Sequence, residues 1–596
     1  MQVYEAPLRD MRFVLHELFT DDGFGNLPAH AEFTPDLIDA VLEEAARLAH
    51  DVLLPLNMSG DEEGCTWENG VVRTPAGFKQ AYDQFREGGW CALASDPKWG
   101  GQGLPETVNK LVEEMISSSN LSFGLYPGLI HGGATALKAH ASPDLQERFL
   151  PKMVEGSWSG TMCLTEPHCG TDLGLLRTKA VPQEDGSYKI TGNKIFISAG
   201  EHDLTENIIH LVLARLPDAP KGVKGISLFV VPKFTIREDG SIGPRNGVSC
   251  TGIEHKMGLK ASATCQMSFD EATGWLVGEP HQGLAAMFTM MNTERVSVGI
   301  QGLGVGTAAY QAAVAYAKDR IQGRSLSGPK RPDLAADPII VHPDVRRMLM
   351  TMRAYTEGCR MLSMWVARAL DAERHSPDAE VRQRAEDMTA LMTPVVKALL
   401  TDLGHEAAHL AVQTYGGHGY IREHGVEQYA RDARIAMIYE GTNGVQALDL
   451  VGRKLPAHGG RYLRSFFHPV AEFIEQHKAV PGMEKMVDAL EKAFGALQLA
   501  TATIAQKGMA DPEEAGAASS DFLRLLGLVA MAYLFAKAAK IAGMKKMMDQ
   551  DPDGFYAAKL VTVRFFYERI LPQAVGLLTA IKAGKASTMD MPEEAF

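Results

Sequence analysis

Twice along this chain the spacing of apolar residues changes. After an irregular opening, apolar residues recur at helical spacing to about residue 155, beginning with Thr34-Pro35-Asp36 as N-cap, N1 and first-turn acid. Thr74-Pro75 reads as the start of a second helix in the same way. From about 157 to 277 the helical period gives way to short β-branched runs, GSYKITGNKIFIS, NIIHLVLARL, GISLFVVP and ATCQMSFD, with Asp185-Gly186 as a hairpin signal. From about 282 the helical period returns and lasts to the C-terminus. This order predicts a mainly α protein with a central β domain, divided as helical 1–156, β 157–279, helical bundle 280–457 and a further helical domain 458–596. Pro456, His458, Gly459 and Gly460 mark the last boundary, and 509–519 reads as a loop between helices.

At 596 residues several cores are expected. The 59 basic against 73 acidic side chains give a net charge of -14, which repels phosphate backbones and anionic lipids, so neither nucleic acid nor membrane is the expected partner. No stretch reads as the roughly 20 apolar residues needed to span a bilayer, and the opening MQVYEAPLRDMRF lacks a signal peptide's basic region and apolar run. Seven scattered cysteines without a C-x-x-C pair fit reduced thiols, and with them a cytoplasmic protein.

Chemistry concentrates in QTYGGHGYIREHGVEQYARDARIAMIYEGTNGVQALDL, Gln413 to Leu450. Gly416, Gly417 and Gly419 let backbone approach a ligand closely, with Gln413 as donor and acceptor beside them. Glu440 is one carboxylate in an otherwise apolar run, where desolvation suits it to act as a base near neutral pH. The alternative is a surface glutamate before a helix C-cap at Gly441. A second constellation, His405-Glu406-Ala407-Ala408-His409, matches the H-E-x-x-H pattern of zinc peptidases, with Glu423 or Glu427 as the third ligand it would need. Gly302-x-Gly304-x-Gly306 lacks dinucleotide-binding spacing and reads better as close helix packing.

The Gln413–Leu450 segment resembles the C-terminal signature of the acyl-CoA dehydrogenase family, with its R-D-A-R-I and I-Y-E-G-T-N runs. WCALASDPKWGGQGLP (from Trp90), CLTEPHCGTD (from Cys163), KIFISAG (from Lys194) and YAKDRIQGR (from Tyr316) resemble other motifs of the family, in the family's order, over about residues 80–450. The resemblance implies an FAD-dependent enzyme that oxidises an acyl-CoA thioester to its trans-2-enoyl-CoA, with no metal, and passes electrons to an electron-transferring flavoprotein.

By the same resemblance, Thr165 hydrogen-bonds the pyrimidine side of the flavin and Met162 and Leu164 line the ring. Ser198 contacts flavin N5, and Phe196 stands where the family commonly has tryptophan. Gly170 and Thr171 approach phosphates or substrate, a plain β-turn being the alternative. Arg320 and Gln322 match pyrophosphate positions, whereas Gly323-Arg324 replaces the aromatic residue usual after them. Gln413, Gly416 and Gly417 reach the FAD of a neighbouring subunit, which implies a homo-oligomer, expected as a dimer. Thr442 and Asn443 lie near the adenine or pyrophosphate, and Arg295 and Gly441 near the substrate. Backbone N–H groups near Glu440 polarise the thioester carbonyl.

Glu440 is the implied base, since a weakly acidic α-proton needs a desolvated carboxylate. A minority of the family uses an E-R pair like Glu294-Arg295 instead, and this chain has both. An acyl-CoA oxidase shares the fold; a DNA-associated relative also does, but the acidic charge and intact Tyr439-Glu440-Gly441-Thr442 oppose it. In length the chain resembles a bacterial subgroup whose members act on a short thioether acyl-CoA or on short- to medium-chain fatty acyl-CoAs.

Overall fold

The computed structural model describes residues 2–25 and 27–596. Its contacts gather the chain into two units, one of Glu44–Pro105 with Met115–Ser297, the other of the N-terminal segment to Glu43, Glu106–Glu114 and Val298–Phe596.

The first unit holds the β structure. After a small hairpin of β1 (Thr66–Glu68) and β2 (Val71–Arg73) come β3 (Trp158–Cys163), β4 (Lys179–Pro182), β5 (Tyr188–Ser198), β6 (Asn207–Arg215) and β7 (Ile226–Pro232). A second hairpin, β8 (Phe234–Ile236) and β9 (Ile242–Arg245), precedes β10 (Val248–Ile253) and β11 (Thr264–Val277). The pairings β11–β5–β4–β6–β7–β11 close a ring, with β3 added in parallel along β6 and β10 added to β11. Closure removes most sheet edges and makes the β structure barrel-like. Ile190, Ile197, Val212, Phe229, Val231, Met267 and Phe269 fill its core. From Asn207 to Ala214 β6 is buried without interruption, which explains why NIIHLVLA reads as an apolar run rather than an alternation. The Asp185-Gly186 turn joins β4 to β5 as expected, with Gly186 at φ 81°.

The second unit is helical. Gly299, Gly302 and Gly306 face Val396, Leu400 and Gly404, and a Cβ at Gly302 would lie 2.5 Å from the Leu400 carbonyl oxygen. The glycine run is therefore a close crossing of the helices Gly283–Asp319 and Ala379–Tyr415. Beyond three successive left-handed residues, His458, Gly459 and Gly460 (φ 49°, 63° and 79°), the extension forms helices Arg461–His477, Glu484–Ala510, Pro512–Met547 and Phe555–Phe565.

A buried ionic cluster fastens that extension to the rest of the unit. Lys559, with no exposed side-chain surface, donates to Glu357 at 2.6 Å and to Asp10, while Arg360 donates to Asp10 and to both oxygens of Glu114. Burial pushes the Asp10 carboxyl up, but Lys559 and Arg360 outweigh it and hold it at about 2. Glu114 goes the other way, because desolvation outweighs Arg360 and raises it.

Four local expectations are corrected. The opening is helical, Leu8–Phe13 continuing as a π turn through Leu18, because Met11, Phe13, Val14 and Leu18 are all buried. Thr74 caps nothing: its N–H and hydroxyl both donate to Asp203, and the helix begins at Phe78 behind a left-handed Gly77. The segment 509–519 is a single-residue break, since Asp511 caps a helix that starts at Pro512 with Glu513 and Glu514 in its first turn. That helix, Pro512–Met547, is long and apolar enough to cross a membrane by length and composition, contrary to the sequence reading; 89% of its apolar window is buried inside the fold.

Candidate active site

In the β-containing unit, the chain leaving β3 runs on beside β5, where the Thr165 carbonyl accepts the Ile195 N–H at 2.9 Å. This brings Leu164 and Thr165 alongside the start of the Lys194–Ser198 segment, with Met162 at the end of β3. Lys194, fully buried, clamps the arrangement by donating to the Leu164 carbonyl (3.0 Å) and to Glu166 (2.9 Å). Burial lowers the Lys194 pKa, only partly opposed by Glu166. Glu166 also accepts the Thr178 hydroxyl at 2.6 Å and the Arg177 N–H at 2.8 Å, which with Lys194 outweigh desolvation and keep its carboxyl low.

Phe196 sits on a β-bulge. Between the pairs Cys265↔Ile197 and Met267↔Lys194, Ile195 and Phe196 together oppose Gln266. The bulge turns Phe196 to φ 58° and leaves its side chain 59% exposed, so the ring offers an aromatic face that its own unit does not cover. Ser198 is half-buried and pairs with Thr264. Gly170 and Thr171 are exposed just after the tight Glu166–Cys169 turn; a Cβ at Gly170 would meet Thr165 Cγ2 at 3.7 Å.

On the helix Gly283–Asp319, Glu294 and Arg295 are 5% and 8% exposed. The Glu294 carboxylate occupies the space that a side chain at Gly132 would need. Arg295 lies 5.7 Å over the Phe288 ring and donates to Asn292 at 3.4 Å.

In the helical unit, Glu440 lies between a 3₁₀ turn, Ile435–Met437, and the short helix Asn443–Asp449. It is not a helix-terminal surface glutamate but a half-buried residue in the left-handed region, φ 55°, followed by Gly441 at φ 76°. Several side chains fix this break. The Gln446 amide donates to the carbonyls of Glu440 and Gly441, both at 3.1 Å. Thr442 Oγ1 donates to the Met437 carbonyl at 3.2 Å, and the Tyr439 hydroxyl donates to Gln301. Asn443 donates to Asp402 (2.7 Å) and Thr401 (3.0 Å) and accepts from Lys397 at 2.8 Å. The Asn443 amide is thus committed to the helix Ala379–Tyr415.

Gln413, Gly416 and Gly417 are exposed at the end of that helix, and no atom lies within 4 Å of a Cβ built on either glycine. Tyr316 binds this turn to the Arg320 loop by stacking on Tyr415 at 4.0 Å and sharing a 2.8 Å hydrogen bond with His418 Nδ1. Arg320 and Gln322 are exposed. Arg324 braces the loop by donating to the Arg331 carbonyl at 2.9 Å and to Asp337 at 3.4 Å.

The zinc arrangement fails on geometry. His405 and His409 bring their Nε2 atoms to 3.1 Å, but Glu406 is bound by the Tyr355 hydroxyl and by Arg524, each at 2.9 Å. Among the described residues no third metal-capable group joins the histidines; the grouping found is Glu166, His168 and Cys169, whose carboxylate is already neutralised by Lys194.

Sequence reasoning missed Gln446, Lys397 and Lys194. Lys194 opens the KIFISAG motif and a buried lysine demands a partner, whereas Gln446 and Lys397 acquire meaning only from the loop's three-dimensional path.

An FAD needs an aromatic face for its ring and glycines that admit its phosphates; the β-containing unit has the exposed Phe196 and Gly170, and the helical unit the uncrowded Gly416 and Gly417, so the residues present in each unit fit such a group. The comparisons agree. Models of the acyl-CoA dehydrogenase N-terminal, middle and C-terminal domains match residues 39–157, 161–272 and 281–455, and one described as acetyl-CoA dehydrogenase C-terminal like matches 466–592. A 3-methylmercaptopropionyl-CoA dehydrogenase from Ruegeria pomeroyi is 43% identical over 95% of this chain and 96% of its own. A butyryl-CoA dehydrogenase from Syntrophomonas wolfei is 36% identical over 100% and 99%. In fold the chain is similar to Caenorhabditis elegans ACDH-11 in complex with C11-CoA, with a TM-score of 0.77 at 18% identity, over 96% of this chain and 92% of that one. An acyl-CoA dehydrogenase from Bacillus anthracis complexed with FAD gives 0.74 at 18% identity, over 93% and 89%. A chain matched in this way over nearly its whole length belongs to the acyl-CoA dehydrogenase family and is an oxidoreductase with FAD as its cofactor.

Proposed function

We propose that this enzyme converts 3-methylmercaptopropionyl-CoA to methylthioacryloyl-CoA, with Glu440 as the base. The observation that carries the substrate is the 43% identity over 95% of the chain to the Ruegeria pomeroyi enzyme of that name. Glu440 takes the α-proton from the thioester while the Cα–H electron pair becomes the new C=C bond. FAD, when bound, supplies the two-electron oxidant that receives the β-hydrogen as hydride. The left-handed backbone at Glu440 directs both its carboxylate and its N–H, and an N–H beside the base suits a thioester oxygen that gains charge as the proton leaves. In the β-containing unit, Thr165 and Ser198 supply hydrogen bonds to the flavin, Met162, Leu164 and Phe196 its packing, and Gly170 and Thr171 an approach for phosphates or substrate. Arg320, Gln322 and Thr442 contribute to cofactor binding, and Arg295 and Gly441 to substrate binding.

The butyryl-CoA dehydrogenase at 36% identity supports a second reading, a short-chain fatty acyl-CoA substrate. Anaerobic flavin-bleaching rates with the thioether substrate and with straight acyl-CoAs of increasing length decide between them. The thioether is expected to give the highest rate at subsaturating concentration; a higher rate with butyryl-CoA would transfer the assignment to fatty acids.

The same reading makes the protein a cytoplasmic homodimer in dimethylsulfoniopropionate breakdown, with an electron-transferring flavoprotein as acceptor. Gln413, Gly416 and Gly417 are exposed on the chain and suit contact with the FAD of a second copy. FAD loss and dimer dissociation are then linked, and light scattering on an FAD-loaded monomer would contradict the shared site.

Phe196→Ala tests the flavin face. Because the ring is 59% exposed, its loss should leave the melting temperature of the FAD-free protein unchanged while weakening FAD binding about 10-fold. Unchanged FAD affinity would remove Phe196 from the cofactor's surroundings.

A further inference from the structure

We infer that Gln446 is a positioning residue for the base: its amide, bonded to two successive carbonyls, holds the Glu440–Gly441 backbone in the conformation that aims the carboxylate. The inference rests on the reading of Glu440 as the base.

Glu440 is in the left-handed region, which a side chain bearing a Cβ rarely adopts unless its surroundings impose it. The flanks of the break are held by Thr442 on the Met437 carbonyl and by Asn443 on Asp402 and Thr401. Its centre is held by Gln446, whose Nε2 donates at 3.1 Å to the carbonyls on both sides of the Gly441 N–Cα–C unit. Two acceptors fix the amide's orientation, since Oε1 in that place would face two carbonyl oxygens.

That orientation has a cost. Gln446 has no exposed surface, and its Oε1 is buried without a hydrogen-bond partner among the described residues. A residue serving only to pack the helix Asn443–Asp449 would be better apolar, because a buried carbonyl oxygen without a donor destabilises the fold. The amide is explained by what its nitrogen does: it sets two peptide planes next to the carboxylate. Since proton transfer depends steeply on the approach of the base, a small relaxation of those planes should slow the chemical step far more than it weakens binding.

The test uses the FAD-loaded enzyme and two variants of nearly unchanged side-chain size. Gln446→Met removes the donor. Gln446→Glu replaces it with a carboxyl that donates only while protonated. FAD content, KM and the pH dependence of anaerobic flavin bleaching are measured for both, with Glu440→Gln alongside. Gln446→Met should retain FAD and a KM within about twofold while bleaching about 10- to 100-fold more slowly. For Gln446→Glu, bleaching should fall with rising pH over the range in which the unmodified enzyme's rate rises, a signature that loss of packing alone would not give. Unmodified rates and pH profiles in both variants would overturn the inference, as would rates that fall only in step with FAD content. If Gln446→Met fails to fold, the Gln446→Glu profile decides alone. Full bleaching by Glu440→Gln would instead overturn the base assignment, so the two failures are distinguishable.

Discussion

Glu440→Gln should abolish rapid flavin bleaching while leaving the bound FAD and the acyl-CoA affinity in place. Glutamine keeps the size of the side chain but cannot accept the α-proton, and loss of a positioned general base costs about 10²- to 10⁴-fold. Because Tyr439, Thr442, Asn443 and Gln446 anchor the loop through their own hydrogen bonds, the substitution should not unfold it. Glu294→Gln is the companion experiment. Glu294 fills the space left by Gly132 and is 5% exposed, so its variant should lose some stability yet still bleach. Reversed outcomes would move the base to Glu294 and leave the dehydrogenase assignment standing.

The second large effect is on stability. Arg360→Met should lower the unfolding free energy by about 3–5 kcal/mol, because it leaves Asp10 and Glu114 buried without the guanidinium that binds both. Adding Glu114→Gln should recover part of the loss, and thermal melts of the single and double variants measure it. The pH dependence follows from Asp10. Its carboxyl is held at about 2, below the ordinary 3.8, so its contribution is present above 3.8 and disappears as pH falls toward 2. Arg360→Met should flatten that acid limb. A melt within one or two degrees of the unmodified protein would show that the cluster contributes no net stability.

Much of this architecture was legible in the chain. The two changes of periodicity bracket the strands between Trp158 and Val277, and the run NIIHLVLARL, read as a strand, is β6. In the Gly302-x-Gly304-x-Gly306 run, read as close helix packing, Gly302 meets the Leu400 backbone and Gly306 meets Gly404. What failed was local and competitive. Thr74 had the residues of a cap, but Asp203, 129 positions away, claimed its donors. Gln446 carried no signal at all, because a glutamine six residues after a glutamate has no meaning until the intervening backbone turns left-handed. The apolar length of the extension's helix Pro512–Met547 went unread in the sequence, and 89% of its apolar window is buried inside the fold.

The central claim, that this chain oxidises an acyl-CoA through bound FAD, is tested most directly by an anaerobic spectrum. Purified protein should carry about one FAD per chain, and its visible flavin band should bleach when one equivalent of 3-methylmercaptopropionyl-CoA is added, with the enoyl-CoA recovered in equal amount. Protein that takes up no FAD, or FAD-loaded protein that no acyl-CoA bleaches, would contradict the account.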